Sequence, residues 1–167
     1  MRQSDILIID DEPYIVRALS RTLSVLGCVV HTANRGESGL EILEQRDIDL
    51  AICDLKMPGM GGLAFLKQVQ VQHPYVFTIA LTAHGDLETA VEAINTAGVY
   101  KFLLKPWNED DLRQTVQRVL EARLLTLERD SLNQKVKRQV AILKRLEKEH
   151  PGITKKHLDE HGNVLLP

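Results

Sequence analysis

The chain has 167 residues, 44% of them hydrophobic and 26% charged, with a net charge of −2, a composition that suits a globular protein with one good core and something smaller. Its longest apolar runs, such as DILIID and VFTIALTA, are far too short to cross a bilayer, and no basic-then-apolar leader opens it, so neither membrane insertion nor export is expected. Cys28 and Cys53 sit in apolar surroundings without forming a CxxC pair, which fits packing roles in a reducing cytoplasm. The charge is uneven: residues 122–149 carry eight Lys or Arg against four Asp or Glu, residues 150–167 carry two of each, and residues 1–121 hold the remaining −6.

Five short apolar runs alternate with amphipathic segments through residue 121. DILIID (5–10), CVVHTA (28–33), DLAICD (49–54), VFTIAL (76–81) and YKFLL (100–104) have the length and β-branched content of strands covered on both faces. Between them, Ile15, Leu19, Thr22, Leu23 and Leu26 form a helical stripe. Leu40, Leu43 and Glu44 belong to a second helix, Leu63, Leu66 and Val69 to a third, and Ala90, Val91 and Ile94 to a fourth; a fifth starts near Asn108. Five βα units in a row predict an α/β fold, a doubly wound parallel sheet with helices on both faces. Right-handed crossovers favour the strand order 2-1-3-4-5.

From Glu109 to about Glu149 there is no Gly or Pro, and Pro151-Gly152 then ends the helical signal. A helix of that length spans roughly 60 Å at 1.5 Å per residue, so residues 122–149 are expected to extend beyond residues 1–121. Ala122, Arg129, Val136 and Leu143 fall at heptad position a, and Leu125, Leu132, Gln139 and Leu146 at d. That seam favours a homodimeric coiled coil over a helix folded back on its own domain, with Arg129 and Gln139 fixing register at some cost in stability. The tail, 150–167, reads as a hairpin around EHGN or as the opening of a further region. His157 and His161 have zinc-compatible i, i+4 spacing, but no third ligand pattern lies near, and metal binding is not expected there.

In an open α/β sheet, chemistry gathers beyond the carboxyl ends of the strands. Strand one ends in Asp10-Asp11, strand three in Asp54, strand four in Thr82 followed by Ala83, and strand five in Lys105-Pro106. Taken singly, each has an ordinary explanation: Asp10-Asp11-Glu12 before Pro13 could cap a helix, Thr82 could be a turn residue and Lys105 a solvated charge. The convergence argues otherwise. Carboxylates this close repel, and a hard cation, Mg²⁺ (or Mn²⁺), compensates while leaving room for a phosphate oxygen. The turn after Asp54 brings the backbone carbonyl of Lys56 within reach of such an ion. With Lys105 opposite, the site is built for phosphoryl transfer onto Asp54, giving an acyl phosphate.

These motifs, ILIIDDEP, CDLKMPGMGG, LTAHGD and FLLKPW, stand in an order and spacing that resembles the receiver domains of two-component response regulators, over residues 4 to about 121. The resemblance implies a flavodoxin-like fold and no dedicated enzyme activity beyond slow self-catalysed gain and loss of phosphate. It implies Asp54 as phosphoacceptor, Asp11 as direct Mg²⁺ ligand, Asp10 acting mainly through water, Thr82 and Lys105 as phosphoryl-binding groups, a cis bond before Pro106, and Phe102 as the switch aromatic. A sensor histidine kinase or phosphotransfer protein would be the donor, and the face formed by helix four, strand five and helix five would relay the signal to a downstream protein. Lys56 and His84, each two residues past a site residue, are expected to flank the path of attacking water and set the phosphoryl lifetime. Trp107 is either packing or an exposed anchor for a partner. A dehalogenase-type phosphatase is disfavoured, because the second acid it needs two residues after the nucleophile is here Lys56.

For output, no helix-turn-helix or Walker pattern follows. The readings are an adaptor acting through its coiled coil, the N-terminal regulatory segment of a longer regulator, and, least favoured, a nucleic-acid binder using the basic helix around Lys135, Lys137 and Arg138.

Overall fold

A computed structural model describes residues 3–153, apart from the side chain of His84. The elements run β1 (Asp5–Ile9), α1 (Pro13–Ser24), β2 (Val29–Ala33), α2 (Gly36–Gln45), β3 (Leu50–Asp54), α3 (Gly62–Gln72), β4 (Phe77–Ala83), a short 3₁₀ turn (His84–Asp86), α4 (Leu87–Ala97), β5 (Lys101–Lys105) and α5 (Glu109–Glu149). All five strands pair in parallel, in the order β2-β1-β3-β4-β5. The fold is the expected flavodoxin-like one, with a long C-terminal helix.

Strand periodicity builds two cores. Leu7, Ile9, Ala51, Cys53 and Ala80 join Leu43 of α2, Phe65, Leu66 and Val69 of α3 and the alanines of α4. Their neighbours Ile6, Ile8, Leu50, Ile52, Ile79 and Leu81 join Leu19 and Leu23 of α1 and Leu112, Val116 and Val119 of α5. Fully burying a side chain of this kind contributes about 1.5–3 kcal/mol, so the central strands form a stiff platform whose C-terminal ends carry the site.

Two helices differ from the expected pattern. In α4, two stripes share helical spacing, Leu87/Val91/Ile94 and Ala90/Ala93/Ala97. The structure buries the alanines and leaves Val91 53% and Ile94 39% exposed. Small side chains let the helix approach the sheet and α3 closely, so only Ala90 of the expected trio is core. In α3, Phe65 is fully buried although the expected stripe omits it. Its ring lies against α2 at Gly39, where an added Cβ would come within 2.9 Å of the ring. Trp107 is partly buried against the α1/α5 core, which makes it a packing residue.

Contacts divide the chain into Met1–Leu125 and Thr126–Pro167. Residues 122–125, expected in the extension, therefore belong with the globular unit. Arg123 is the reason. Its guanidinium is buried, pairs with Asp49 at 2.5 Å and donates to the Tyr75 carbonyl at 3.1 Å. Asp49 in turn accepts the Asp5 N–H at 2.7 Å, and Asp5 pairs with His31 at 2.7 Å. One buried ion pair thus ties β1, β3 and the β4 approach to α5.

In the second unit, helix α5 continues to Glu149 and a turn follows at Pro151–Gly152. Of the expected seam, Leu132, Val136 and Leu143 are exposed and Leu146 is half-buried; Leu125, in the first unit, is also exposed. The expected hairpin, with His157 and His161, lies outside the described residues. Among the described residues, no helix is long and apolar enough to cross a membrane.

Candidate functional site: an acidic cluster at the strand ends

The parallel register sets Asp54 at the C-terminal end of the central strand β3, opposite Leu81 of β4. Asp10 and Asp11 follow β1 directly. Asp10 is fully buried, Asp54 nearly so, and Asp11 is exposed; one carboxylate oxygen from each lies within 4.8 Å of the other two. Lys105, the last residue of β5, reaches across to pair with Asp10 at 2.9 Å, Asp54 at 3.4 Å and Glu12 at 3.7 Å. The Lys105–Pro106 peptide bond is cis.

Helix capping does not account for the acids. Glu12, in the capping position of α1, makes no side-chain cap hydrogen bond. Asp10 instead accepts the Glu12 N–H at 2.9 Å and the Lys105 ammonium. Burial pushes the Asp54 carboxyl above its usual pKa, and Asp10's charge adds to this. Lys105 and a backbone hydrogen bond from Lys56 oppose the shift. Burial alone would lower the Lys105 pKa, but its bond to Asp10 and the charge of Asp54 raise it overall.

Three carboxylates face one ammonium, so the cluster carries excess negative charge in a half-enclosed place. All the donors are hard oxygens, the set that suits a small divalent cation. The residues present fit such an ion: Asp10, Asp11 and Asp54 converge, and the loop after β3 begins at their edge.

That loop is fixed by backbone contact. Leu55 donates to the Leu81 carbonyl at 3.1 Å and Gly62 to the Leu55 carbonyl at 3.2 Å. A Cβ on Gly62 would lie 1.9 Å from the Asp54 carbonyl oxygen. Only glycine lets α3 begin so close to the strand end.

The remaining expected residues surround this centre. Thr82 is buried on β4, and its hydroxyl donates to the Ala83 and Asp86 carbonyls at 3.3 and 3.4 Å. Ala83 ends β4 and is exposed. Phe102 is half-buried against the core that contains α4. The Lys56 side chain is paired with Asp86 at 2.7 Å; the orientation of His84 lies outside the described residues. The sequence reading missed Asp86, which its position four residues past Thr82, at the start of α4, could have flagged.

Residues 6–117 match the response regulator receiver domain family. The chain is 32% identical over 143 residues to the hydrogenase transcriptional regulatory protein HoxA of Cupriavidus necator, covering 86% of this chain and 30% of that one. It is 36% identical over 120 residues to the DNA-binding transcriptional regulator NtrC of Escherichia coli, covering 72% and 25%. Among solved structures, the signal receiver domain of an HD domain-containing protein from Pseudomonas fluorescens superposes with a TM-score of 0.74 at 32% identity, covering 77% of this chain and 95% of that one. NtrX from Brucella abortus does so with a TM-score of 0.74 at 34% identity, covering 78% and 30%. The chain thus spans 25–30% of the length of the two curated relatives. Sheet order, acidic cluster and sequence agree: this chain belongs to the response regulator receiver domain family.

Proposed function

We propose that Asp54 accepts a phosphoryl group from a phosphohistidine of a sensor kinase or phosphotransfer protein. The observation that carries this reading is the meeting of Asp10, Asp11 and Asp54 within 4.8 Å, with the Lys105 ammonium 3.4 Å from Asp54. An Asp54 carboxylate oxygen forms the new O–P bond as the donor's N–P bond breaks; the electron pair leaves with the imidazole, which takes a proton from solvent. Lys105 neutralises charge on the phosphoryl oxygens, and Thr82, released from its carbonyl partners, hydrogen-bonds one of them. Asp10, Asp11, Asp54 and the Lys56 carbonyl would hold Mg²⁺ (or Mn²⁺), which when bound supplies positive charge against the transferring group. Turnover is limited to slow self-catalysed gain and loss of phosphate, tuned by Lys56 and His84. The free Cys28 and Cys53 support a reducing, cytoplasmic setting.

The test is incubation with acetyl phosphate and Mg²⁺. One phosphate should be incorporated per chain, and Asp54→Asn should abolish it. Undiminished labelling of that variant would refute the assignment.

Output is proposed to run through Thr82, Phe102 and the α4–β5–α5 face to a coiled-coil homodimer formed by the part of α5 beyond residue 125. The exposed seam residues Leu132, Val136 and Leu143 support this. Cysteines placed at Leu132 or Val136 should give a disulfide-linked dimer, and absence of one at either position in both phosphorylation states would exclude the paired helices. The alternative output is that of a regulatory N-terminal segment of a longer regulator with a separate effector domain, a reading that the transcriptional-regulator names of HoxA and NtrC favour.

A further inference from the structure

Asp86 is the residue before α4, and aspartate is among the strongest N-capping residues. Here it makes no side-chain cap hydrogen bond. Its carboxylate, only 15% exposed, pairs instead with Lys56 Nζ at 2.7 Å, a lysine that is itself 72% exposed. The same residue's backbone carbonyl accepts the Thr82 hydroxyl at 3.4 Å. One residue therefore binds, through different atoms, the loop after β3 and the hydroxyl on β4, while its carboxylate does not cap α4.

We propose that Lys56 is a positioning residue: by drawing Asp86 away from the α4 N-terminus, it holds the β4–α4 turn in the arrangement that keeps Thr82 off Asp54. This rests on the phosphoacceptor reading and adds a route for the signal. Lys56 lies two residues after Asp54, so a dianionic phosphoryl group there competes with the Asp86 carboxylate for the same ammonium. Once Lys56 is drawn to the phosphoryl group, Asp86 caps α4, the turn re-forms, and Thr82 leaves the Asp86 carbonyl. No covalent bond changes beyond the transfer itself, in which the O–P bond to Asp54 forms as the donor's bond to phosphorus breaks. The two fates of Asp86 are closely matched, because an ion pair to a lysine that stays largely in water and a helix cap have similar small values. The equilibrium is therefore one that a single new charge can tip.

Asp86→Asn separates the two roles, since asparagine caps as well as aspartate but cannot form the ion pair; Lys56→Met removes the pair and leaves the Asp86 carboxylate able to cap. Amide exchange is measured on the unphosphorylated full chain at Glu88, Thr89 and Ala90, the first turn of α4. Each variant should slow exchange about twofold to fivefold, the double variant should slow it no further than either one, and Asp86→Ala, which cannot cap, should not slow it. Both capping variants should also take up phosphate from acetyl phosphate about twofold to fivefold faster, because Thr82 starts closer to its bound position. Unchanged protection in Lys56→Met, or additive effects in the double variant, would overturn the proposal. Exchange reports on the turn before any phosphate is present. If protection changes as expected while no variant, nor the parent protein, is ever phosphorylated, the phosphoacceptor reading fails and the positioning role stands.

Discussion

The two ends of the sheet treat aspartate in opposite ways. At the N-terminal end, Asp49 is buried against the Arg123 guanidinium and accepts a backbone N–H, so its charge is matched and its oxygens are occupied. At the C-terminal end, Asp10 and Asp54 are just as inaccessible but share the Lys105 ammonium with Glu12, and Asp11 converges on the same two carboxylates. Similar residues on the same strands therefore differ in the balance of charge. A matched buried charge holds elements together, whereas an unmatched cluster stores electrostatic stress that a ligand or a chemical modification can relieve.

The largest effect should come from unbalancing the matched end. Arg123→Met removes the buried guanidinium that pairs with Asp49 and should cost about 3–5 kcal/mol, read as a lower denaturation midpoint at unchanged slope. A loss below about 1 kcal/mol would show that the pair is replaceable and that the contrast between the ends is overstated. The next effect supplies the missing charge at the other end. Mg²⁺ at 100 times its Kd should stabilise the parent protein by about 2.7 kcal/mol, and Asp11→Asn should greatly reduce the gain. Equal stabilisation in that variant would place the ion elsewhere.

The smallest effect has the opposite sign to the first. In chelator, Asp54→Asn should raise stability at neutral pH by roughly 0.5–2 kcal/mol, because it removes a desolvated charge from beside Asp10. The sign follows from linkage. Folding raises the pKa of Asp54, so the native state binds that proton more tightly than the unfolded chain. Its contribution is most favourable below the unfolded pKa and is lost as pH rises through the folded one. The variant's advantage should therefore grow as pH increases across that window and vanish in acid; an advantage constant with pH would point to packing.

Much of this was legible in the sequence, for a reason. Strands covered on both faces leave dense apolar runs, and parallel strands joined by helices must present their C-terminal residues together, so Asp10, Asp11, Asp54, Thr82 and Lys105 could be collected before any coordinates. The matched pair could not. Arg123 reads as one more charge on a basic helix, and Asp49 as the polar start of a strand; nothing local links them until α5 lies beside the sheet. In α4, periodicity offered two stripes, and hydrophobicity chose the larger side chains where close approach required alanine. The Lys56–Asp86 pair was hidden for a similar reason, since each belongs to a loop whose path is set by other contacts.

The seat of Gly62 beneath the Asp54 carbonyl limits what can be transplanted. The location of the Asp54 carboxylate is dictated by peptide touching peptide, so an engineer grafting this acidic cluster onto another scaffold must move residues 53–62 as one piece. Variation is affordable in the outward side chains of that segment, but a single methyl group at position 62 would dislodge Asp54 itself.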